Sequence, residues 1–330
     1  MLAGMSAWLI TGGAGYIGAH VVRAFADRGI RPVVLDNLST GRRAFVPDGV
    51  AMVEGDIRDT DTLVDTLIDH DCVGVVHVAG FKYAGVSVSE PLRAYSNNVT
   101  GTASLLQAMD TAGVDNIVFS SSASVYGTPD VDLVTEDAPL QPESPYGESK
   151  LIGEWLIRDV VRARTEFRAV SLRYFNVVGT STPDVTDLSP HNLFPLVVAA
   201  LAAGETPRIN GDDYPTPDGT CVRDYVHVGD LAVSHVAAAV ALEDGRELAP
   251  VYNLGSGDGM SLRQIMDAFA RVTGTEFTPT IAPRRPGDPA RIVADGTAAA
   301  RDLDWRMRHT VDEMVSSAWE ARSVAAESPR

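Results

Sequence analysis

The sequence predicts an α/β protein with a doubly wound parallel sheet, and three patterns support this prediction. Short apolar runs, typical of buried strands, alternate with amphipathic runs, typical of helices, as far as residue 179. The run at 73–78 is apolar at nearly every position, which indicates a strand buried on both faces of a parallel sheet. In addition, a glycine-rich turn joins the first predicted strand to the first predicted helix.

This glycine-rich turn follows the strand predicted at 7–11. Its glycines stand at positions 12, 15 and 18, and a helix with Val21, Val22 and Phe25 at helical spacing comes next. The order of strand, glycine loop and helix lets the backbone approach a pyrophosphate at the helix N-terminus, so it predicts a Rossmann-type dinucleotide site. We expect cofactor contacts from Gly12, Gly15, Tyr16, Ile17 and Gly18.

An aspartate, Asp36, stands at the end of the second predicted strand, 31–35. Its carboxylate can accept hydrogen bonds from the adenosine ribose hydroxyls and would repel a 2′-phosphate, which favours NAD over NADP. The alternative is an ordinary turn aspartate. The polar segment that follows adds Asn37, Ser39 and Thr40 as expected cofactor neighbours.

Two further loops follow predicted strands at the same edge of the sheet. The strand at 50–54 leads to Asp56 and Ile57, where an adenine ring would be bracketed. The strand at 73–78 leads to a second loop, and ligands of doubly wound sheets bind at such carboxyl ends. From this loop we expect cofactor contacts by Ala79, Gly80 and Lys82, with Lys82 also a candidate phosphate contact.

The long amphipathic helix predicted at 91–112 carries two neighbouring asparagines, Asn97 and Asn98. A buried amide needs a hydrogen-bonding partner, and a cofactor could supply it. The pattern leaves open which of the two faces the sheet.

A tyrosine and a lysine, Tyr146 and Lys150, lie four residues apart in a helix predicted to begin at 144–146, so they share one helical face. The lysine charge favours the phenolate, so we expect it to lower the pKa of Tyr146 and suit it to general acid–base work. The strand at 116–119 ends in a cluster of serines, 120–122, where one hydroxyl can bond a substrate. The alternatives are an ordinary helix start and a polar turn.

The strand–helix alternation stops after residue 179. We therefore predict a dinucleotide-binding domain at 1–179 and a smaller α/β substrate domain at 180–330, with residues 224–245 packing back on the first. For the second part we predict helices at 192–203, 230–242, 261–272 and from Thr310, and strands at 223–228 and 251–254. We expect Asp230 and Ser261 to cap the second and third of these helices. The true start is either Met1 or Met5, and we expect the chain end at 327–330 to be frayed.

Composition narrows the class of protein. The chain of 330 residues is 45% hydrophobic and 22% charged, as in a globular protein. Its formal charge of −17 argues against nonspecific binding of nucleic acid or anionic membranes. Two cysteines, Cys72 and Cys221, form neither a disulfide framework nor a metal motif, so we expect a cytoplasmic protein without a bound metal.

The motifs resemble the extended short-chain dehydrogenase/reductases, and several stretches resemble the UDP-glucose 4-epimerases within that group. The broader resemblance lies in 11–18, 36–38, 120–127, 146–150 and 174–176. The narrower one lies in 77–82, 210–225, 252–255 and 282–288, and the likeness extends to about Ala318.

The resemblance implies roles for individual residues. It makes Tyr146 the catalytic base, Lys150 its partner and Ser122 the serine that bonds the reacting sugar hydroxyl. Implied cofactor contacts are Asp36, Asp56, Ile57, Lys82, Asn97, Ser120, Tyr146, Lys150, Tyr174 and Phe175. Implied substrate contacts are Lys82, Ser122, Tyr146, Asn176, Asn192, Leu193, Arg223, Arg285 and Asp288. It also implies a homodimer through the helices at 91–112 and 146–164.

The implied activity is the NAD-dependent interconversion of UDP-galactose and UDP-glucose. The sugar would be oxidised at carbon 4, rotate as a 4-keto intermediate and be reduced again, with NAD held tightly and regenerated each turnover. Ile292 falls where the family varies a residue that gates 2-N-acetyl sugars, so UDP-N-acetylhexosamines and UDP-pentoses stay open as substrates. A nucleotide-sugar 4,6-dehydratase would carry an Asp-Glu pair where this chain has Ala123-Ser124. A catalytically silent NAD-binding sensor would lack one of the three catalytic residues.

Overall fold

The structure is a computed structural model that describes residues 6–285 and 288–322. The candidate start residues Met1 and Met5, residues 286–287 and the chain end at 327–330 lie outside the described residues. Among the helices of the described residues, none has the length and apolarity needed to cross a membrane.

A seven-stranded parallel sheet forms the centre of the fold. The strands in chain order are β1 (Ala7–Thr11), β2 (Arg31–Asp36), β3 (Ala51–Glu54), β4 (Cys72–His77), β5 (Asn116–Ser122), β6 (Arg168–Tyr174), β7 (Asn176–Val178), β8 (Arg208–Asn210), β9 (Val222–Arg223), β10 (Tyr225–His227), β11 (Val251–Leu254), β12 (Met260–Ser261), β13 (Thr280–Ala282) and β14 (Arg291–Ile292). The central sheet has the order β11-β6-β5-β4-β1-β2-β3. The connections change direction between β1 and β4, which opens a crevice at their carboxyl ends. The predicted doubly wound α/β fold is confirmed.

Helices cover both faces of this sheet and also form part of a smaller lobe beside it. In chain order they are α1 (Tyr16–Asp27), α2 (Thr60–Asp69), α3 (Ala84–Ser89), α4 (Pro91–Tyr95), α5 (Gly101–Ala112), α6 (Pro145–Ala163), α7 (Leu193–Ala202), α8 (Val228–Glu243), α9 (Leu262–Thr273), α10 (Thr297–Asp302) and α11 (Val311–Glu320). Side chains of α1 and α8 share one core with the sheet, and those of α2, α5 and α6 share the other. Both α8 and β11 come after residue 179 in the chain, and the division into domains at 179 stays a prediction.

The two cores explain why the strands are apolar throughout. All five residues of β1 are buried, including Trp8, Leu9 and Ile10 at 0% exposure. Alternate residues of one strand enter opposite cores, Trp8 and Ile10 on the α1 side and Leu9 on the α2 side. Each such side chain contributes about 1.5–3 kcal/mol through burial.

A smaller lobe stands beside the sheet. It combines α7, α9 and α11 with a two-stranded sheet of β8 and β13 and a three-stranded sheet of β12, β9 and β14. Its own core contains Phe194, Ile209, Tyr225, Phe269 and Val315. The predicted smaller α/β lobe is thereby confirmed as part of the fold.

The helix predicted at 91–112 is not uniform. A π-helical turn at Ser96–Thr100 stands between α4 and α5. This wider turn aligns Asn98 with the backbone of Phe81, to which its amide is bonded. Such turns inside helices are common at functional sites.

Two predictions for the region 222–230 are wrong in detail. The predicted strand 223–228 is split into β9 and β10 at Asp224, a fully buried residue whose carboxylate binds the N–H groups of Gly257 and Ala294. The cap of α8 is His227, whose Nδ1 accepts from the Gly229 N–H, and not Asp230.

Candidate active site

The glycine loop lies between β1 and α1, at the crevice of the sheet. Gly12 has φ +71°, and a Cβ there would lie 2.8 Å from the Ala79 Cα. A Cβ on Gly18 would lie 2.1 Å from the carbonyl oxygen of Gly12. The N-terminus of α1 has neither a side-chain cap at Gly15 nor an acid in its first turn. Its N–H groups and positive dipole end are therefore available to an anionic ligand.

Asp36 is buried beside this loop, and its pKa is raised by that burial. Its carboxylate accepts hydrogen bonds from the N–H groups of Ala14 at 3.0 Å and Leu38 at 2.8 Å. These two bonds fix the carboxylate between the glycine loop and the segment after β2, which is the position needed for a ribose contact.

Asp56 occupies the rim of the same region. Its carboxylate is bound by the Arg58 guanidinium at 2.8 Å from both Nε and one terminal nitrogen, and by the Asn37 amide at 3.1 Å. The hydrogen bonds from Arg58 hold the pKa of Asp56 well below its usual range. The carboxylate is thus ionised and oriented, although Asp56 itself does not line the cleft.

The helix α6 positions the predicted catalytic pair. Ser144 caps this helix by accepting from the Gly147 N–H at 3.2 Å, and Pro145 occupies its first turn. Tyr146 and Lys150, on the same face, are 8% and 5% exposed. The Lys150 ammonium donates to the Ser120 carbonyl at 2.9 Å and lies 5.0 Å from the centre of the Phe119 ring.

The structure does not bear out the prediction that Lys150 lowers the pKa of Tyr146. Burial raises the pKa of Tyr146, and a hydrogen bond with Ser122 opposes this rise. Burial also lowers the pKa of Lys150 to about 8, which Glu154 counteracts by its charge. The expectation of a lowered pKa for Tyr146 is wrong, because desolvation of the phenolate dominates.

The three predicted serines belong to the end of β5 and each has a different task. Ser120 is bonded to His235 Nε2 at 2.9 Å on the α8 side, and Ser121 donates to Glu154 at 2.5 Å on the α6 side. Ser122 faces the cleft, where it receives the Ser124 N–H at 3.2 Å. Ser122 lies at the cleft because it is the last residue of β5, at the carboxyl edge of the sheet. Ser120, expected to touch the cofactor, is fully buried and does not line it.

The two asparagines of the π-helical turn also separate. Asn98 is buried and binds both the N–H of Phe81, at 2.6 Å, and its carbonyl, at 3.0 Å. Its amide also donates to Ser149 at 2.8 Å. Asn97 donates to the Arg93 carbonyl at 2.8 Å and lines the cleft.

On the other side of the cleft the polar side chains are paired with each other. Arg223, 9% exposed, forms a salt bridge with Asp288. With its amide oxygen turned toward the guanidinium, Asn210 accepts from Arg285 Nε at 3.1 Å. Held by these partners, Arg223 and Arg285 both line the cleft.

One cleft of about 1600 Å³ lies between the sheet and the smaller lobe. The predicted site residues that line it are Gly12, Gly15, Tyr16, Ile17, Gly18, Asp36, Asn37, Ser39, Thr40, Ile57, Ala79, Gly80, Lys82, Asn97, Ser122, Tyr146, Lys150, Tyr174, Phe175, Asn176, Asn192, Leu193, Arg223, Arg285 and Asp288. Only Asp56 and Ser120 of the predicted set do not. One continuous cleft of this size can hold a dinucleotide and a second, smaller nucleotide end to end.

Sequence reasoning missed several residues of the site. Tyr83 and His191 line the cleft from opposite sides, and their rings meet edge to face at 4.8 Å. Tyr83 directly follows Lys82 and His191 directly precedes Asn192, so the neighbouring predicted contacts were a signal for both. Sequence reasoning also missed Glu154, which accepts a hydrogen bond from Ser121, and Arg173, which donates to Glu154.

One group of side chains among the described residues has the composition of a metal site. Ligand-type atoms of His227, Asp230 and His309 lie within 4.8 Å of one another. However, Asp230 accepts the N–H groups of Arg308 and His309 and is bonded to His309 Nδ1 at 2.9 Å. These hydrogen bonds connect α8 to the segment before α11, which explains why the three side chains lie together.

The sequence comparisons identify the family. A sequence model of the NAD-dependent epimerase/dehydratase family matches residues 8–255. The chain belongs to this family. It is 43% identical to UDP-glucose 4-epimerase of Azospirillum brasilense, over 94% of this chain and 91% of that protein. It is 44% identical to UDP-glucose 4-epimerase of Streptomyces lividans, over 96% of both chains.

A solved structure agrees with the sequence relatives. The crystal structure of UDP-glucose 4-epimerase from Stenotrophomonas maltophila, with bound NAD and formylated UDP-arabinopyranose, matches with a TM-score of 0.93. It is 36% identical to this chain and the match covers 98% of this chain and 100% of that one. The resemblance of this epimerase/dehydratase family member to UDP-glucose 4-epimerases is confirmed.

Proposed function

We propose that this protein is a UDP-glucose 4-epimerase that interconverts UDP-galactose and UDP-glucose with a tightly held NAD. The observation that carries the proposal is the convergence of three groups on one cleft: the glycine loop, the Tyr146–Lys150–Ser122 set and the two arginines, Arg223 and Arg285. The names of its sequence relatives and the ligands of the Stenotrophomonas structure support the same assignment.

The residues of the cofactor half fit a dinucleotide. The uncapped N-terminus of α1 suits a pyrophosphate, and the fixed Asp36 carboxylate suits a ribose with a free 2′-hydroxyl. Bound there, NAD would supply reversible hydride acceptance from carbon 4 of the sugar. The glycines at 12 and 18 leave no room for a side chain, which keeps the backbone close to that ligand.

The chain's own groups would handle the proton. Tyr146, as phenolate, accepts the proton of the sugar 4-hydroxyl and later returns it. Ser122 bonds the same oxygen and holds it within reach. The ammonium of Lys150, fixed on the Ser120 carbonyl, stabilises negative charge on this side of the cleft.

The nucleotide part of the substrate would serve as the handle while the sugar turns. Arg223 and Arg285 offer charge-assisted hydrogen bonds to the phosphates and the nucleoside. The remaining expected contacts of this half are Asn176, Asn192, Leu193 and Asp288, and all of them line the cleft.

Two competing functions are less well supported. A 4,6-dehydratase needs further acid and base groups next to Ser122, where this chain has Ala123 and Ser124. A silent NAD sensor has no need of the buried Tyr146, Lys150 and Ser122, of which Tyr146 and Ser122 are hydrogen-bonded to each other. UDP-N-acetylhexosamines and UDP-pentoses remain alternative substrates of the same chemistry, because Ile292 is a mid-sized apolar wall of the cleft.

The test is to mix the purified protein with UDP-galactose, without added NAD, and to measure UDP-glucose. Turnover that Tyr146→Phe abolishes is the expected result and would establish a retained cofactor as well. Parallel reactions with UDP-N-acetylglucosamine and a UDP-pentose rank the substrates. Absence of turnover with every one of these substrates, even after NAD is added, would overturn the proposal.

We also propose a homodimer through the helices at 91–112 and 146–164. Large apolar side chains are exposed on this side, with Leu92 of α4 at 82%, Val88 of α3 at 65% and Trp155 of α6 at 45%. Light scattering should give twice the chain mass, and Trp155→Glu with Leu92→Asp should give the monomer. The control is Val233→Asp on α8, which is 50% exposed on the opposite face of the sheet.

We keep the cytoplasmic location as a proposal too. Cys72 and Cys221 are buried free thiols, which suits a reducing compartment.

A further inference from the structure

A buried ion pair lies directly behind the proposed catalytic lysine, and the proposed chemistry does not use it. Glu154 and Arg173 have side chains only 7% and 3% exposed. Arg173 Nε donates to Glu154 at 2.8 Å and a terminal nitrogen donates to the other oxygen at 2.6 Å. Breaking such a pair leaves an uncompensated buried charge, so the two side chains must be considered as a unit.

The ion pair is bonded to the strand end that carries the catalytic serine. Ser121 donates to Glu154 at 2.5 Å. The residue before it, Ser120, presents the carbonyl that receives the Lys150 ammonium, and the residue after it is Ser122. Arg173 stands opposite Ser121 in the β5–β6 ladder. One carboxylate therefore joins α6, β5 and β6 at the level of the catalytic groups.

Glu154 also acts on Lys150 by its charge. It follows Lys150 by four residues on α6, which places the two side chains on one face of the helix. Among the other titratable groups of this region, His77 on β4 interacts with the Lys150 charge, and Arg173 on β6 is paired with Glu154. Tyr146 and Tyr174 line the same cleft as Lys150, and His235 on α8 is bonded to the side chain of Ser120.

Of these groups, both histidines are neutral at neutral pH. Burial lowers the pKa of His77 to about 3 and that of His235 to about 4. Glu154 therefore supplies the charge that favours the ammonium form of Lys150, against the burial that disfavours it.

We infer that Glu154, held by Arg173 and Ser121, is a positioning residue that keeps Lys150 protonated and fixed on the Ser120 carbonyl. Its link to catalysis rests on the proposed function, but its effect on Lys150 does not. Loss of the Glu154 charge releases the proton of Lys150 at a lower pH. The ammonium bond to Ser120 is then lost in the range where the enzyme works.

The chain is well suited to a direct test because it contains only two lysines, Lys82 and Lys150. Protein labelled with ¹³C at the lysine Cε gives two side-chain signals, and exposed Lys82 serves as the internal reference. In the unchanged protein, the Lys150 signal should titrate near pH 8. In Glu154→Gln its midpoint should fall by about one pH unit or more.

The matched control is Glu148→Gln on the same helix, whose carboxylate is bonded to Tyr95. It should leave the Lys150 midpoint in place. If Glu154→Gln does not fold, the double variant Glu154→Leu with Arg173→Leu removes both charges without leaving one unpaired. It should lower the Lys150 midpoint as well. An unchanged midpoint in a folded variant that lacks Glu154 would overturn the inference.

The activity readout comes second. The alkaline limb of the kcat/KM profile for UDP-galactose should move to lower pH together with the Lys150 midpoint. A shifted midpoint in a protein without epimerase activity would keep the inference and reject the proposed function. A shifted midpoint with an unmoved alkaline limb would show that Lys150 protonation does not limit catalysis and would overturn the positioning role.

Discussion

The two halves of the cleft prepare for their ligands in different ways. In the half proposed to bind the cofactor, the Asp36 carboxylate is held by the backbone N–H groups of Ala14 and Leu38, and the Lys150 ammonium by the backbone carbonyl of Ser120. In the sugar half, Arg223 is held by Asp288 and Asn192 by Asp187, and both of these acids lie in irregular segments.

This difference teaches how each half must respond to binding. Backbone partners stay in place when the ligand arrives, so the cofactor half is preorganised. Side-chain partners must be exchanged or shared with the ligand, so part of the binding free energy of the sugar nucleotide is spent on rearrangement. A cofactor that stays bound and a substrate that must turn and leave are suited to these two conditions.

The largest effect is the loss of kcat that we expect from a change at Tyr146. The change Tyr146→Phe removes the proton acceptor and should lower kcat about a thousandfold, with little change in retained NAD. Quenched assays of UDP-galactose conversion and the absorbance of the released cofactor measure both. Tyr95→Phe, which removes a phenol bonded to Glu148 on the same helix, should leave kcat nearly unchanged. Equal losses in the two variants would contradict the assignment of Tyr146.

The next effect concerns the sugar half. Arg223→Gln should raise KM for UDP-galactose about 10- to 100-fold, because a charge-assisted hydrogen bond contributes about 1.5–3 kcal/mol. Retained NAD should not change, since Arg223 lies away from the glycine loop. Steady-state kinetics and cofactor content are the measurements, and Arg271→Gln, an exposed arginine paired with Asp312, is the control. A fall in retained NAD with an unchanged KM would contradict this assignment, because it would place Arg223 at the cofactor and not at the sugar nucleotide.

A smaller effect is expected at Asp36. The change Asp36→Asn removes the charge that repels a 2′-phosphate and should weaken NAD retention about tenfold, while NADP binding improves. Calorimetric titration of cofactor-stripped protein with each dinucleotide tests this. Asp61→Asn, at the exposed start of α2, should change neither affinity. If Asp36→Asn keeps its full preference for NAD over NADP, another group makes that distinction.

The last expected effect concerns stability and not activity. It is a dependence of the free energy of unfolding on pH, and it arises from histidines buried in the central sheet and its covering helices. Burial lowers the pKa of His20 and His235 to about 4 and that of His77 to about 3. An unfolded histidine titrates near 6.5, so between pH 6.5 and 4 the unfolded chain binds protons that the folded chain refuses. As the pH is lowered through this window, the free energy of unfolding should fall by about 1 kcal/mol per buried histidine for each pH unit.

Urea unfolding at pH 7.5, 6.0 and 5.0 measures this dependence. His235→Gln should reduce the slope, because its side chain no longer titrates. His70→Gln, at the partly exposed end of α2, should keep it. Stability that rises as the pH falls would contradict the sign of the account.

Regular elements were predictable because their residues repeat a simple pattern. The predicted strand at 7–11 is β1 itself, and Ser261 caps α9 as its capping box with Gln264 implies. The split of 223–228 was not predictable, because the cause is a distant pairing of Asp224 with the segment around Ala294. A local pattern carries no information on such a pairing.

The residues of the site show the same difference between local sequence patterns and distant pairings. Residues of a local motif, such as the glycine loop and the Tyr146–Lys150 pair, line the cleft, while their roles there stay a prediction. Glu154 and Arg173 were missed although Glu154 has helical spacing from Lys150, because a buried ion pair shows itself only once both elements are packed. The pKa of Tyr146 was predicted in the wrong direction because sequence gives the neighbour but not the burial.

The central claim is that carbon 4 of the sugar is oxidised and reduced again within the cleft by the same retained cofactor. The most direct test is to convert UDP-galactose that carries deuterium at carbon 4, in ordinary water, and to examine the product by mass spectrometry and NMR. The account predicts UDP-glucose that keeps the deuterium at carbon 4, because the same hydrogen leaves and returns while Tyr146 handles only the hydroxyl proton. Product that has lost the deuterium to solvent would contradict it.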